Sequence, residues 1–232
     1  ASDDLVWTKS HALDYSFPEG TTTVTYIATD LSGNNSLVCS FDVTVTDSES
    51  PTANCKPATI YLNSSGIATL VSSDINNASS DNCTDAGNLI FTISKSSFNC
   101  SNEGSNTITL TVKDASGNQS TCNATVTVAD NTAPTITSTA GTVTSDVNTS
   151  TGECFYNISG SEFDPIVSDN CSGSTLSYSI TGATALSGTG SLAGKLLNKG
   201  SNIITWAATD GTNSATPLIF TKTVNYSVFF AI

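Results

Sequence analysis

Hydrophobic and polar residues alternate strictly in three segments of this chain, which is the pattern of a half-buried β-strand. The segments read GTTTVTYIATDLSGN from Gly20, GSNTITLTVKDASGN from Gly104 and GSNIITWAATDGTN from Gly200. Because alternate side chains of a strand point to opposite faces, one face of each segment should lie in a core. The expected core positions are Val24, Tyr26 and Ala28; Ile108, Leu110 and Val112; and Ile204, Trp206 and Ala208.

The three segments are copies of one long repeat. Their aligned aspartates, Asp30, Asp114 and Asp210, are 84 and 96 residues apart, which is the size of a small β-sandwich and too long for a solenoid repeat. In the first two copies a Gly/Asn turn and a second alternating strand follow, so a β-hairpin closes the domain. Pro51 and Pro134 come next, and proline cannot donate into a strand ladder.

We therefore predict an all-β chain of tandem immunoglobulin-like β-sandwich domains stapled by disulfides. Residues 1–47 are expected to form the C-terminal half of a repeat, 48–130 a complete repeat and 131–232 a third, divergent sandwich. We call these the first, middle and third repeats. The third lacks the closing cysteine and ends in FTKTVNYSVFFAI, which is either an extra strand or a cut end.

Composition narrows the choice of partners. The net charge is −13, from 20 acidic residues and seven lysines without arginine, so nucleic acid is not expected as a partner. Seven cysteines without zinc-type spacing indicate disulfides and an extracellular location. We see no leader and no long apolar run, so the segment should not span a membrane, and any signal peptide or anchor should lie outside it.

Several motifs recur in a fixed order and carry a family resemblance. GTTTVTY, SGN, a cysteine, VTVTD and a proline follow one another, and Ser-Asp-Asn-Cys occurs at residues 80–83 and 168–171. This set resembles the HYR (hyalin repeat) family, and is most similar to the tandem repeats of giant surface adhesins in gliding Bacteroidetes. The resemblance implies an immunoglobulin-like sandwich, adhesion at the cell surface, gliding motility, and export by type IX secretion.

The cysteines of the middle repeat allow three connectivities. Because the first and last strands of a sandwich lie close together, we favour Cys55 with Cys122, which leaves Cys83 with Cys100. The same logic pairs Cys154 with Cys171. Cys39 aligns with Cys122 and would need a partner upstream of the chain.

Acidic residues recur at three places in each repeat and suggest a metal site. They lie in the linker, in the Asp-Asn-Cys turn and in the hairpin turn, and the topology of a sandwich should bring these places together at one pole. Calcium binds six to eight oxygen ligands of this kind, and the linker from Asp130 to Pro134 resembles a cadherin junction. Turn formation alone also explains Asp and Asn here. The candidate ligands are Asp47, Glu49, Asp81, Asp114, Asp130, Asn131, Asp169 and Asp210.

No catalytic motif is present, and we do not expect an enzyme. His11 is the one histidine and has no nucleophile motif beside it, and carboxylate pairs such as Asp3 with Asp4, or Asp164 with Asp169, have no fixed separation in sequence. The favoured function is a secreted adhesin or spacer stalk that contacts a surface polysaccharide or another surface ligand. The alternatives are a carbohydrate-binding or spacer module of a secreted enzyme, for which Trp7, Tyr61 and Tyr156 are the candidate platforms, and a surface-layer protein.

Overall fold

The computed structural model describes residues 5–139, 142, 146–149 and 152–226, and nearly all regular structure in them is β. A short helix, α1 (Ser72–Ile75), and a 3₁₀ turn (Cys100–Asn102) interrupt the strands. The strands are β1 (Val6–Lys9), β2 (Gly20–Thr29), β3 (Cys39–Val45), β4 (Ala58–Tyr61), β5 (Ile67–Thr69), β6 (Ile90–Ile93), β7 (Ser97–Asn99), β8 (Gly104–Lys113), β9 (Gln119–Ala129), β10 (Thr135–Thr137), β11 (Val147–Asn148), β12 (Phe155–Asn157), β13 (Ile166–Ser168), β14 (Thr175–Gly182), β15 (Leu186–Thr189), β16 (Leu196–Asn198), β17 (Gly200–Thr209) and β18 (Leu218–Asn225).

The first repeat forms a three-stranded antiparallel sheet in the order β1-β2-β3. Strand β2 is the long alternating segment that the sequence singles out. Val24 and Ala28 on it are buried and Tyr26 is half-buried, so its inner face is the expected one.

The middle repeat has a four-stranded sheet in the order β4-β9-β8-β6 and a two-stranded sheet of β5 and β7. Strand β4 runs parallel to β9, with Ala58 opposite Val126, whereas β6 runs antiparallel to β8. The expected inner positions Ile108, Leu110 and Val112 are all buried. Strand β1 meets β2 at Val6 and Thr29, and β6 meets β8 at Ile90 and Lys113, so both repeats use the same register 84 residues apart.

The third repeat has a five-stranded sheet in the order β11-β18-β17-β14-β15, with the pairs β12-β16 and β10-β13 beside it. Trp206 is fully buried in its core, where its indole N–H donates to the backbone oxygen of Phe163 at 3.2 Å and its ring meets Tyr178 edge-on at 5.5 Å. Ile204 and Ala208 are buried on the same face. The predicted fold class is confirmed in its all-β architecture, immunoglobulin-like sheets and disulfides.

The chain divides into two compact units. Unit 1 comprises Ala1–Cys55, Asn76–Ile93 and Thr109–Cys122, and unit 2 comprises Lys56–Ile75, Ser94–Ile108 and Asn123–Ile232. Each unit therefore contains one linker between repeats together with the loops around it. The repeat boundaries near residues 48 and 131 remain predictions. The final residues of the FTKTVNYSVFFAI tail, 227–232, lie outside the described part, and the tail's beginning belongs to β18.

Candidate functional site

The hairpin turn between β8 and β9 is built around the carboxylate of Asp114, which is 1% exposed. One carboxylate oxygen accepts hydrogen bonds from the backbone N–H groups of Gly117 and Asn118, and the other accepts one from the Asn118 side chain at 2.9 Å. Gly117 has a φ of +100°, which glycine adopts without a steric penalty. The DASGN sequence thus fixes both the turn and the direction of its aspartate.

The structure brings Asp47, Asp81 and Asp114 together in unit 1. One carboxylate oxygen from each lies within 4.8 Å of those of the other two. The Asn118 side chain also donates to the backbone oxygen of Asp47 at 3.3 Å, which ties the linker to the hairpin turn. We call these three residues the first aspartate cluster.

The same arrangement recurs in unit 2 with Asp130, Asp169 and Asp210, whose oxygens also lie within 4.8 Å of one another. Asn213 plays the part of Asn118, because its side chain donates to an Asp210 carboxylate oxygen at 2.9 Å and to the backbone oxygen of Asp130 at 3.2 Å. Linker, Asp-Asn-Cys turn and hairpin turn supply one aspartate each. We call these three residues the second aspartate cluster.

Local hydrogen bonds favour the ionised form of one aspartate in each cluster. Donors from the backbone N–H groups of Thr84 and Cys83 lower the pKa of Asp81 from its ordinary value of 3.8. The backbone and side chain of Asn213 lower the pKa of Asp210 in the same way. Hydrogen bonds to the charged form favour that form, so these two aspartates are ionised at neutral pH.

Several polar atoms at the clusters are buried without a hydrogen-bond partner. They are Asp47 Oδ2 and Asp81 Oδ1 in the first cluster, and Asp130 Oδ2 with the neighbouring Asn170 Oδ1 at the second. Buried polar groups normally have a partner. A hard cation would supply one for each of these oxygens.

Two of the candidate ligands lie outside the clusters. The Glu49 carboxylate accepts a hydrogen bond from the Asn82 side chain at 2.9 Å, and Asn131 is exposed. Sequence reasoning missed Asn170 and Asn213 as parts of the second site. Asn170 donates to Asp130 Oδ1 at 3.1 Å, and the repeated Asp-Asn-Cys motif was the signal that could have found it.

The structure contains the Cys55–Cys122 disulfide that the sequence favours, with the two Cα atoms 5.8 Å apart. The other two expected pairs are wrong, because Cys100 bonds to Cys171 while Cys83 and Cys154 are free. Cys83 lies near the end of β8 that leads to Asp114. Cys100 lies four residues before Gly104, at the opposite end of the strand. A ten-residue strand separates its ends by about 30 Å, so a short loop in sequence does not make a short distance.

The same geometry separates Cys154 from Cys171. The backbone oxygen of Cys154 accepts a hydrogen bond from Lys199, just before β17 begins. Cys171 follows Asp169, which lies in the cluster beyond the opposite end of β17, at Asp210. Cys39 is exposed and unbonded in the structure.

The remaining candidates serve local structure. The His11 ring packs on Tyr15 with 4.3 Å between centroids, and its Nδ1 lies 2.7 Å from the Ser10 hydroxyl. Asp164 accepts hydrogen bonds from Ser191 and from the backbone of Leu192, and Asp3 and Asp4 lie outside the described residues. Trp7 and Tyr61 are exposed, whereas the Tyr156 hydroxyl donates to Glu162 at 2.9 Å.

Similarity to known proteins agrees with this repeat architecture. Residues 3–45 match the HYR domain family. An alignment 141 residues long, which covers 56% of the chain, shows 38% identity with hyalin of Strongylocentrotus purpuratus. The chain contains an HYR-type domain. HYR-type domains are extracellular repeat modules of the cell-adhesion type. The aligned part spans 11% of the hyalin chain.

Solved structures similar to this chain include cadherins at low identity. The Drosophila N-cadherin EC1-4 structure is 13% identical, with 91% of this chain and 59% of that chain covered and a TM-score of 0.40. Mouse clustered PcdhgC3 EC1-3 is 15% identical, with 93% and 79% covered and a TM-score of 0.34. Scores of this size carry no argument about function. In the described part of the chain, no helix has the length and apolar character needed to cross a bilayer.

Proposed function

We propose that this chain is part of the stalk of a secreted cell-surface adhesin, in which calcium ions at the two aspartate clusters join successive repeats. The observation that carries this proposal is the recurrence of one three-aspartate arrangement at both linkers. The HYR-type domain and the similarity to hyalin support adhesion as the role. The resemblance noted in the sequence further favours a large adhesin of the gliding Bacteroidetes type.

The charge of the clusters favours a bound cation. Three carboxylates approach one another within 4.8 Å in each cluster, and like charges at such distances repel. Hydrogen bonds lower the pKa of Asp81 and Asp210, so one aspartate in each cluster keeps its charge at neutral pH. A divalent cation at the centre of each cluster would relieve the repulsion.

The donor chemistry selects calcium among common cations. Each cluster offers carboxylate oxygens from three separate loops. Calcium accepts six to eight oxygens in flexible geometry, whereas magnesium requires a near-octahedral shell and zinc favours nitrogen and sulfur. Because the loops come from different parts of the repeat, calcium would hold linker and hairpin turn together.

Calorimetric titration of the chelator-treated protein with Ca²⁺ tests this proposal. We expect two binding events, one for each cluster, and a higher melting temperature with calcium. Asp114→Asn and Asp210→Asn should each remove one event. Asp30→Asn is the matched control, because Asp30 makes the same turn contacts with Asn34 but lies outside both clusters. Titration without heat or thermal shift in millimolar Ca²⁺ would overturn the calcium assignment.

A second candidate function is carbohydrate binding, which the exposure of two aromatic rings favours. Trp7 is 63% exposed and Tyr61 is 61% exposed, and sugar platforms use exposed rings of this kind. A glycan array with the wild-type chain and Trp7→Ala tests this candidate. Sugar binding that Trp7→Ala abolishes would favour a carbohydrate-binding module over a stalk.

A further inference from the structure

The Cys100–Cys171 disulfide joins the middle and third repeats, as their boundaries are expected from the sequence. Cys100 lies four residues before Gly104, where β8 begins, and Cys171 lies in the Asp-Asn-Cys loop. The backbones pack closely here, since a Cβ atom added to Gly66 would come within 2.8 Å of both Cys100 Sγ and the Asn170 backbone oxygen. Asn170 also donates to the backbone oxygen of Asn63 at 3.2 Å. The disulfide therefore lies at a close contact between backbones of the two repeats.

The sequence repeats the spacing of this arrangement one domain earlier, with a serine in place of the first cysteine. Ser16 lies four residues before Gly20, as Cys100 lies four residues before Gly104. Cys83 stands in the Asp-Asn-Cys loop of the middle repeat, as Cys171 does in that of the third. Position 16 therefore holds a hydroxyl where its counterpart holds a sulfur.

The neighbours of the two positions also correspond. Glu103 lies one residue before Gly104, and its carboxylate oxygen lies within 4.8 Å of both Cys100 Sγ and Cys171 Sγ. Glu19 is its counterpart before Gly20, and it lines one open cavity together with Phe17 and Cys83. Its carboxylate also accepts a hydrogen bond from Ser116. The segment that contains Ser16 therefore approaches Cys83 in unit 1 as the segment of Cys100 approaches Cys171 in unit 2.

We infer that these paired positions form a disulfide clamp between successive repeats, closed at Cys100–Cys171 and left open at Ser16–Cys83 by the single serine. The residue four positions before the start of β2 or β8 decides whether a disulfide joins that repeat to the next one. The inference does not depend on calcium, because it rests on the positions of sulfur and hydroxyl groups alone.

The decisive experiment is the substitution Ser16→Cys in the full chain, refolded in a mixture of reduced and oxidised glutathione. Oxidised glutathione takes up the two electrons as two thiols form one disulfide, and two molecules of reduced glutathione leave. The wild type should show three free thiols, those of Cys39, Cys83 and Cys154. Ser16→Cys should show two free thiols. Digestion at aspartates without reduction should then join the peptide of residues 14–29 to that of residues 81–84.

Two control variants separate pairing from a general change in thiol content. Ser16→Cys with Cys83→Ser should keep three thiols. Ser32→Cys, in the exposed turn of the first hairpin, should show four. Four thiols in Ser16→Cys, under conditions in which Cys100–Cys171 forms, would overturn the inference. A wild-type chain with Cys83 already in a disulfide would overturn it as well.

The reverse substitution, Cys100→Ser, tests the clamp if Ser16→Cys does not fold. This variant places a serine at position 100, as the chain has at position 16. It should fold with four free thiols, including that of Cys171. Its melting temperature should fall while its circular dichroism spectrum stays that of the wild type. The inference requires that the repeats fold without the Cys100–Cys171 bond and that Cys171 then stays free. Pairing of Cys171 with Cys154, or complete loss of folding, would contradict it.

Discussion

The side-chain amide of Asn118 donates a hydrogen bond to the backbone oxygen of Asp47, 71 residues earlier in the chain. Asn213 makes the corresponding bond to Asp130. Each asparagine therefore holds its hairpin turn and positions the linker aspartate at the same time. This double contact explains why an asparagine suits the turn better than another small polar residue.

Substituting Asn118 by alanine should destabilise the chain by about 1 kcal/mol more than Asn34→Ala does, because a net hydrogen bond contributes roughly that amount. Asn34 is the matched control, since its described hydrogen bonds stay within the first hairpin turn. Denaturant unfolding in the absence of calcium measures the difference. Equal losses for both variants would show that the bond to the linker contributes nothing.

Removal of the Cys55–Cys122 disulfide by a double substitution to alanine should cost on the order of 4 kcal/mol, because the bond closes a 67-residue loop in the unfolded chain. Thermal and denaturant unfolding measure the loss. Cys154→Ser is the control and should change stability by less than about 0.5 kcal/mol, since Cys154 is exposed and unbonded. A melting curve unaffected by the double substitution would contradict the structural role.

Cys83 should react slowly with iodoacetamide at pH 8. Neighbouring atoms displace part of the water around this exposed thiol, and this partial desolvation and then the charges of Asp47, Asp81, Glu19 and Glu49 raise its pKa. The thiolate is the reactive form. Glu49→Gln removes one of those charges, so it should lower the pKa and speed alkylation. Peptide mapping by mass spectrometry follows the rate at Cys83 alone. An unchanged rate in Glu49→Gln would show that the Glu49 charge does not contribute to the shift.

Stability should fall as the pH rises from 10 to 12 because of Tyr156. Burial, and then the hydrogen bond to Glu162, raise the pKa of this tyrosine from its ordinary value of 10.0 to about 12. Above pH 10 the unfolded chain releases the proton while the folded chain retains it, so unfolding becomes easier. Tyr156→Phe should flatten this loss in denaturant titrations at pH 9 to 11.5. An identical pH profile in the variant would contradict the shift.

The alternating positions predicted the sheets well because burial on one face leaves a direct mark on the sequence. Ile108, Leu110 and Val112 are buried as expected. The proximity of Asp47, Asp81 and Asp114 to one another was also predictable, because the direction of the strands in a sandwich decides which loops lie at the same pole. Glu49 and Asn131 stay predictions as ligands, since sequence shows an oxygen donor but not the direction of its side chain.

The cysteine pairing shows where sequence reasoning fails. The pairing of Cys83 with Cys100 was what remained once Cys55 was paired with Cys122, but the two cysteines lie near opposite ends of β8. Cys100 instead meets the loop that contains Cys171. Close packing at Gly66 leads to that contact, and neither the composition nor the spacing of the cysteines reveals it.

The placement of Cys55 and Cys122 decides how the chain responds to a pull on its two ends. Cys55 precedes β4, and Cys122 lies in β9 ahead of the residues that pair in parallel with β4. Tension that enters at Cys55 passes through the sulfur–sulfur bond into β9 and leaves for the third repeat through Cys100–Cys171, so the segment between Cys55 and Cys100 carries no load. Reducing only Cys55–Cys122 in an unfolded repeat would place the 45 residues from Cys55 to Cys100 under tension instead of the 22 from Cys100 to Cys122. That change adds about 8 nm, at 3.3 Å or so for each extended residue. The disulfide thus sets how far a tether of such repeats can stretch.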